Sequence, residues 1–155
     1  MNSEQVKLVQ SSFELVRPIA DTAAHIFYER LFTLDPSLRP MFKGDMATQG
    51  RMLMSVLGTA VKGLTDLDAL VPVLRSLGAR HVGYGVRDEH YITVGTALLW
   101  TLDQGLGEAF TTDVREAWTE AYGLLADVMQ FGALEAQRKQ RHFIDAMSRP
   151  TASMA

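Results

Sequence analysis

Apolar side chains recur every third or fourth position along nearly the whole chain, and no stretch sustains the alternate-residue pattern of a strand. Val6, Val9, Phe13 and Val16 mark a first helix, with Asn2 or Ser3 as its N-cap. Pro18 is placed to open a second helix rather than to break one. That helix carries Ile19, Ala23, Ile26, Phe27, Leu31 and Leu34 on one broad face and stops at Asp35-Pro36. Pro36 to Gly44 is a tight connector with room for one short helical turn, and it holds a large apolar residue, Phe42. A third helix is expected over Met46–Gly63, striped by Met52, Leu53, Val56, Leu57, Ala60 and Val61. A fourth, Asp68 to His81, carries Val71, Leu74 and Leu77, and Gly78, Gly83 and Gly85 bring it to an end. The fifth, Asp88 to Leu106, is the most apolar and is expected at the centre. The sixth starts at Thr111 or Thr112 and includes Val114, Trp118, Ala121, Leu125 and Val128; Pro150 to Ala155 are expected to fray.

These elements predict an all-α protein forming a single domain over residues 1–155. Helices of unequal length without heptads favour mixed-angle packing over a symmetric bundle. The chain has 155 residues, 47% of them apolar, which suffices for one core and leaves no room for a second. A formal net charge of −3 argues against nucleic acid as a partner. The longest charge-free apolar stretch, Tyr91 to Leu102, falls well short of the roughly 20 residues of a membrane span. The opening residues Met1 to Gln5 lack the basic and apolar regions of a signal peptide, so a soluble, cytoplasmic protein is expected. Having no cysteine excludes disulfides, thiolate nucleophiles, Cys-ligated zinc, iron–sulfur clusters and covalent haem attachment. Metal or proton chemistry must rest on His25, His81, His90, His142 or carboxylates. HExxH, GxSxG, P-loop and GxGxxG motifs are absent.

What chemistry remains lies in polar residues on apolar faces. His81 follows Leu77 by four positions and Leu74 by seven, on the inward stripe of the fourth helix. Such a histidine is either a core residue bonded to a backbone carbonyl or a metal or haem ligand. Tyr28 follows Phe27, and its hydroxyl needs a partner if buried; Gln49 shares the face of Leu53. Taken singly, Tyr28 reads as core packing with a wet tip and Gln49 as solvated helix surface. Arg80 is by default a cation near a helix C-terminus. Arg138, Lys139, Arg141 and His142 are by default a solvated face, and the eight methionines core filler. Glu89 and His90 are adjacent, so they do not face each other as an acid–base pair.

In order along the chain, these residues resemble a known family. Phe27-Tyr28-Glu29-Arg30-Leu31-Phe32, Asp35-Pro36 and Arg39-Pro40-Met41-Phe42 are similar to the second helix and following corner of globins. The nearest likeness is to bacterial single-domain haemoglobins and the haem domain of flavohaemoglobins. Gln49 with Leu53, then Arg80-His81 with Tyr84-Gly85-Val86, then His90-Tyr91 with Val94-Gly95 are similar to the distal helix, the proximal helix and the corner after it. Ala117-Trp118 with Ala121-Tyr122-Gly123 is similar to the final helix. The likeness spans about residues 3–132, and residues 134–155 are expected to form a longer last helix with a loose tail.

The resemblance implies a globin fold of six to eight helices around non-covalent haem b. It makes His81 the proximal iron ligand and Phe42 the ring packed flat on the haem. Tyr28, Gln49 and Leu53 would line the distal pocket, Arg80 would lie near a propionate, Val86 would meet the haem edge, and Tyr91 would sit behind His81. The implied partners are diatomic gases (O₂, CO and NO), with an external reductase if the protein is an enzyme, and the implied assembly is a monomer or weak homodimer. One position departs from the family pattern: Ala133 stands where flavohaemoglobins and their bacterial relatives carry a glutamate in a network with the proximal histidine and tyrosine. The expected function is reversible O₂ binding for transport, storage or sensing. The alternative is a nitric oxide dioxygenase, in which O₂ and NO give nitrate and a separate reductase restores the ferrous state. A haem-free regulatory module is the third class.

Overall fold

The computed structural model describes residues 1–148. Six α-helices follow one another: α1 (Ser3–Val16), α2 (Ala20–Leu34), α3 (Met46–Gly63), α4 (Leu67–Gly83), α5 (Asp88–Leu106) and α6 (Thr112–Ser148). Short 3₁₀ turns at Arg17–Ile19, Pro36–Met41 and Gly107–Ala109 join them, and no strand occurs among the described residues. The fray expected at Pro150 to Ala155 lies outside the described residues.

Local chemistry explains the boundaries. The Asn2 carboxamide accepts from the Gln5 backbone N–H at 2.8 Å, and the Gln5 side chain accepts from the Asn2 N–H in return, closing a capping box on α1. Pro18 does not open α2 directly. It occupies the Arg17–Ile19 turn, and α2 begins two residues later at Ala20. Asp45 caps α3 by accepting from the Thr48 N–H at 3.2 Å. Thr48 bonds, from hydroxyl and backbone, hold the Asp45 carboxyl below the usual carboxylate range. Asp66 caps α4, which starts one residue before the expected Asp68.

Sequence neighbours are mostly not spatial neighbours. α1 packs on α6, α2 on α3 and α5, and α4 along α6, whereas α3 and α4 touch only sparsely. Trp118, on α6, is 1% exposed and donates from its indole N–H to the Ser12 hydroxyl at 2.8 Å, pinning α1 to α6. The α4–α6 crossing is closer than ordinary side chains allow. A Cβ on Gly78 would lie 1.9 Å from the Met129 carbonyl oxygen, and one on Gly132 would lie 2.1 Å from that of Arg75. Each helix therefore presents a glycine to the other's backbone. An Arg75–Glu135 ion pair closes the same crossing.

Gly58, in the middle of α3, is a different case. A Cβ there would meet only the Phe13 ring at 3.5 Å, an ordinary contact. Gly78→Ala should therefore destabilise the fold by about 1–3 kcal/mol or more through overpacking against backbone. Gly58→Ala should stabilise it by about 0.5–1 kcal/mol through helix propensity. Urea denaturation of the three proteins measures both shifts, and equal behaviour of the two variants would contradict the crossing geometry.

Candidate functional site

The site residues come from both sides of the sparse α3–α4 contact. On one side, Tyr28 of α2 is buried in an aromatic cluster. Its ring meets Phe27 edge-on at 5.2 Å, Phe42 edge-on at 5.3 Å, and stacks with Phe32 at 5.9 Å. Phe42 thus belongs to a cluster rather than to a polar loop, which explains a large ring in that connector. Asp35 sets the connector's course by accepting from the Ser37 N–H at 3.1 Å. Another glycine brings α3 against this cluster: a Cβ on Gly50 would lie 2.9 Å from the Ala24 Cβ. The Tyr28 hydroxyl consequently reaches the neighbouring Gln49 and donates to its backbone carbonyl at 3.3 Å.

The structure therefore brings Tyr28, Phe42 and Gln49 together. The Gln49 amide, however, donates to the Lys43 carbonyl at 3.2 Å, so its side chain is tied to the connector. Leu53, one turn further along α3, is half-buried and borders a small internal cavity beside Phe27 and Leu98. Burial pushes the Tyr28 phenol up to about 12, so its hydroxyl stays a neutral donor across the physiological range.

On the other side, His81 occupies the last turn of α4. Its Nδ1 lies 2.7 Å from the Leu77 carbonyl oxygen. A carbonyl can only accept, so Nδ1 carries the proton and the Nε2 lone pair is left free. Burial holds the imidazole below the usual histidine range, with the Leu77 bond opposing and nearby Arg80 adding to the shift. Both features matter, since the carbonyl bond expected of an ordinary core histidine also sets the tautomer that a metal ligand needs.

The chain after His81 closes α4 in a defined way. Gly85 has φ +83°, a conformation that favours glycine. The Gly85 N–H donates to Val82 O at 3.0 Å and the Val86 N–H to His81 O at 3.1 Å, the two bonds of a Schellman motif. Val86 is thereby fastened to the backbone of His81, and Tyr84 sets its ring edge-on to the imidazole at 5.6 Å. Arg80 is exposed. Tyr91 is buried with its hydroxyl unpartnered, while its carbonyl accepts from the Tyr122 hydroxyl. Ala133 is buried and offers no polar side-chain atom.

Tyr122, His90, Gly78 and Gly132 contribute in ways that helix periodicity alone does not show. Tyr122 both holds the Tyr91 backbone and fills the space left by Gly95, where a Cβ would meet its ring at 2.7 Å. His90, set aside as half of an acid–base pair, is buried and accepts the Arg87 N–H at 2.9 Å, so it is a capping residue of α5. Gly78 and Gly132 fix the depth of His81 against α6. Tyr122, His90 and Gly95 fall within the stretches that resemble the family, whereas Gly78, expected to help end α4, lies inside it as a spacer, and nothing in the sequence marks Gly132. Among the described residues no group of three or more His, Asp or Glu side chains converges to hold a metal. A metal at this site would therefore rely on a single imidazole.

The family profile named Globin matches residues 25–129. The chain belongs to the globin family. This globin is 32% identical over 145 residues to a flavohemoprotein of Vibrio cholerae, covering 90% of this chain and 37% of that one. It is 37% identical over 134 residues to a flavohemoprotein of Chromobacterium violaceum, covering 83% of this chain and 33% of that one. The chain thus spans about a third of the length of these relatives. Among solved structures, it superimposes with a TM-score of 0.82 on an engineered carbene transferase, titled a putative nitric oxide dioxygenase from Rhodothermus marinus. That likeness, at 23% identity over 91% of this chain and 99% of the other, speaks to the fold alone. The fold is the all-α globin fold. No described helix is long and apolar enough to cross a membrane.

The raised phenol of Tyr28 has a consequence for stability. In the fold its proton leaves near pH 12, against about 10 in the unfolded chain, so its contribution is complete below pH 10 and is lost as pH rises through 12. Tyr91 and Tyr122 are raised too, mainly by burial. Tyr28→Phe removes one of three groups that drive alkaline unfolding. Its unfolding midpoint, followed by far-ultraviolet circular dichroism against pH, should move upward. A downward move would mean that the hydroxyl is not held neutral.

Proposed function

We propose that this globin holds haem b on His81 and reversibly binds O₂, and with it CO and NO, in a transport, storage or sensing role. The observation that carries the reading is the state of His81: neutral, protonated at Nδ1 by its bond to Leu77, with Nε2 free. A neutral imidazole with its second nitrogen fixed by a hydrogen bond is the form that ligates iron. The surroundings suit a flat apolar group. Phe42, Leu53, Leu57 and Val86 are all large or branched apolar residues, yet each is only half-buried, and α3 and α4 barely meet between them. Covering such surfaces is favourable at about 25 cal/mol per Å². Arg80, exposed beside His81, provides a cation for the carboxylates of a porphyrin edge.

Haem supplies, when bound, an iron whose remaining coordination position accepts a diatomic gas. The chain supplies the selectivity. Tyr28 offers a neutral hydroxyl donor, and its bond to the Gln49 carbonyl is long enough to be exchanged readily for a partly negative ligand. Gln49 already spends one of its two amide N–H groups on the Lys43 carbonyl, which ties the side chain to the connector and makes it the weaker donor. Leu53 keeps the remaining wall apolar.

A second reading, a nitric oxide dioxygenase served by a separate reductase, is favoured by the similarity to flavohemoproteins and to the Rhodothermus marinus structure. Two observations support reversible binding over it. The Nδ1 partner of His81 is a neutral carbonyl, and Ala133 brings no carboxylate to the unpartnered Tyr91 hydroxyl. Both leave the proximal imidazole a weaker electron donor.

The protein purified with haem should show a five-coordinate, high-spin ferrous spectrum, and His81→Ala should lose stable haem and melt at a lower temperature. A His81→Ala protein with an unchanged spectrum would overturn the ligand assignment. Tyr28→Phe should raise the O₂ dissociation rate about 10- to 100-fold in stopped flow, with a much smaller change for CO and a weaker effect from Gln49→Leu. Nitrate formed over many cycles per haem, with a reductant supplied, would favour the dioxygenase.

A further inference from the structure

Helix α6 outruns the body it packs on. Ala136 is half-buried, and every residue from 137 to 148 is exposed, so all faces of the helix leave contact at once. This segment projects about 18 Å, at about 1.5 Å per residue. Its packing partner, α4, begins too late to reach it. Gly78 lies opposite Met129 and Arg75 opposite Gly132, so the antiparallel pairing brings the first residue of α4, Leu67, level with Gln140. The Arg75–Glu135 ion pair is the last that joins α6 to the body among the described residues.

The projecting segment is amphipathic. Phe143, Ile144 and Met147 are 65%, 54% and 71% exposed, and spacings of three and four put them on one face. Arg138, Arg141 and His142 share the opposite face, with Lys139 on the border between the two. The cations also come first, so a basic girdle at 138–142 precedes an apolar tip at 143–147. Charge sets the segment apart from the rest of the chain. Residues 1–137 hold 17 of the 18 acidic side chains but only 11 of the 15 basic ones, a net −6. Residues 138–148 carry Arg138, Lys139 and Arg141 against Asp145 alone, a net +2. A short helix draws its stability from packing its apolar face, and among the described residues nothing lies against this one.

We propose that the projecting end of α6 docks on a membrane surface rich in anionic lipid, with Phe143, Ile144 and Met147 dipping below the headgroups and Arg138, Lys139 and Arg141 pairing with them. A basic and an apolar face on one helix suit the bilayer interface. The helix lies on that surface and does not cross it. Long arginine and lysine stems keep their charged heads at headgroup level while the apolar side is buried. The acidic body is repelled by the same surface, which confines contact to the tip. A second copy of the chain fits less well. Pairing two projecting ends brings their like charges within a Debye length of about 10 Å. The open groove between α1 and α3, of about 300 Å³, is lined by Phe13, Met54 and Gly58 and by the cations Arg17 and Lys62, but by no carboxylate. It does not attract a basic helix. The proposal stands apart from the haem reading.

Flotation of the full chain with lipid vesicles tests this. The protein should float with vesicles of equal parts phosphatidylcholine and phosphatidylglycerol and stay behind with phosphatidylcholine alone. It should be largely released in about 1 M salt, where the screening length falls to about 3 Å. Arg138→Gln, Lys139→Gln and Arg141→Gln combined should weaken binding roughly 100-fold, about fivefold per cation. Phe143→Ser with Ile144→Ser should weaken it about tenfold or more. Both variants should keep the parent melting temperature, because the segment packs on nothing in the body. Since the chain has no cysteine, Phe143→Cys can carry a single environment-sensitive dye. Its emission should shift to the blue on anionic vesicles, and that of the same dye at Asp103→Cys, on α5, should not. Absent binding, equal binding to neutral vesicles, or a shift at both dye positions overturns the proposal. A lowered melting temperature in both variants also overturns it, since the face would then be packed on the body. A dimer seen by sedimentation velocity without lipid, and dissolved by the Phe143 and Ile144 changes, assigns the face to a second copy instead.

Discussion

The close approach of α4 and α6 is the constraint on which the rest of the molecule depends. Gly78 lies three residues before His81, and its missing side chain lets the helix settle onto the Met129 carbonyl. Gly132 returns the favour toward Arg75 from the other helix. Any side chain at either point would lift α4 outward, because backbone cannot yield as a side-chain tip can. With α4 committed to α6, it is withdrawn from α3, and a gap between apolar half-buried surfaces is the result. The site exists because two helices pack too closely elsewhere to fill it.

The opposite wall is built by a similar device in a different material. Gly50 lets α3 sit on Ala24, and this brings the Tyr28 hydroxyl to the Gln49 carbonyl. Around Tyr28, three phenylalanine rings exclude water and raise its pKa, so the one polar tip in the cluster stays neutral and donating. The two walls are therefore chemically unequal. One presents a lone pair on a fixed imidazole, and the other presents an O–H donor among aromatic rings. Tyr91 marks a third polarity, a buried hydroxyl with no partner, next in chain to a histidine that spends its ring on capping α5. Buried polar atoms are seldom left unpaired, which sets this hydroxyl apart from that of Tyr28 with its Gln49 partner.

The helices were legible because periodicity reports burial directly: Met46–Gly63 and Asp88–Leu106 were marked by their apolar stripes to the residue. Boundaries governed by one bond were less so. α2 starts at Ala20 because the Pro18 turn completes first, and α4 gains a residue because Asp66 accepts the Ala69 N–H. The resemblance to globins, carried by ordered residues such as Tyr28, Phe42, Gln49 and His81, points to the family independently of packing, since residue types at set separations need no contact information.

By itself, then, the chain determined its helices, its fold class and which polar residues lie on apolar faces, because these follow from local spacing and from the chemistry each side chain carries. Tertiary structure decided the states of those residues. Whether His81 is neutral and at which nitrogen it is protonated depends on burial and on the Leu77 carbonyl one turn away. That Gln49 turns its amide to Lys43, that Gly78 and Gly132 are spacers, and that Gly58 borders an open groove are facts about what lies opposite. A residue's spacing names its face. Only the partner across the gap, often a hundred positions away as Trp118 is from Ser12, sets its protonation, its free atoms and the room beside it.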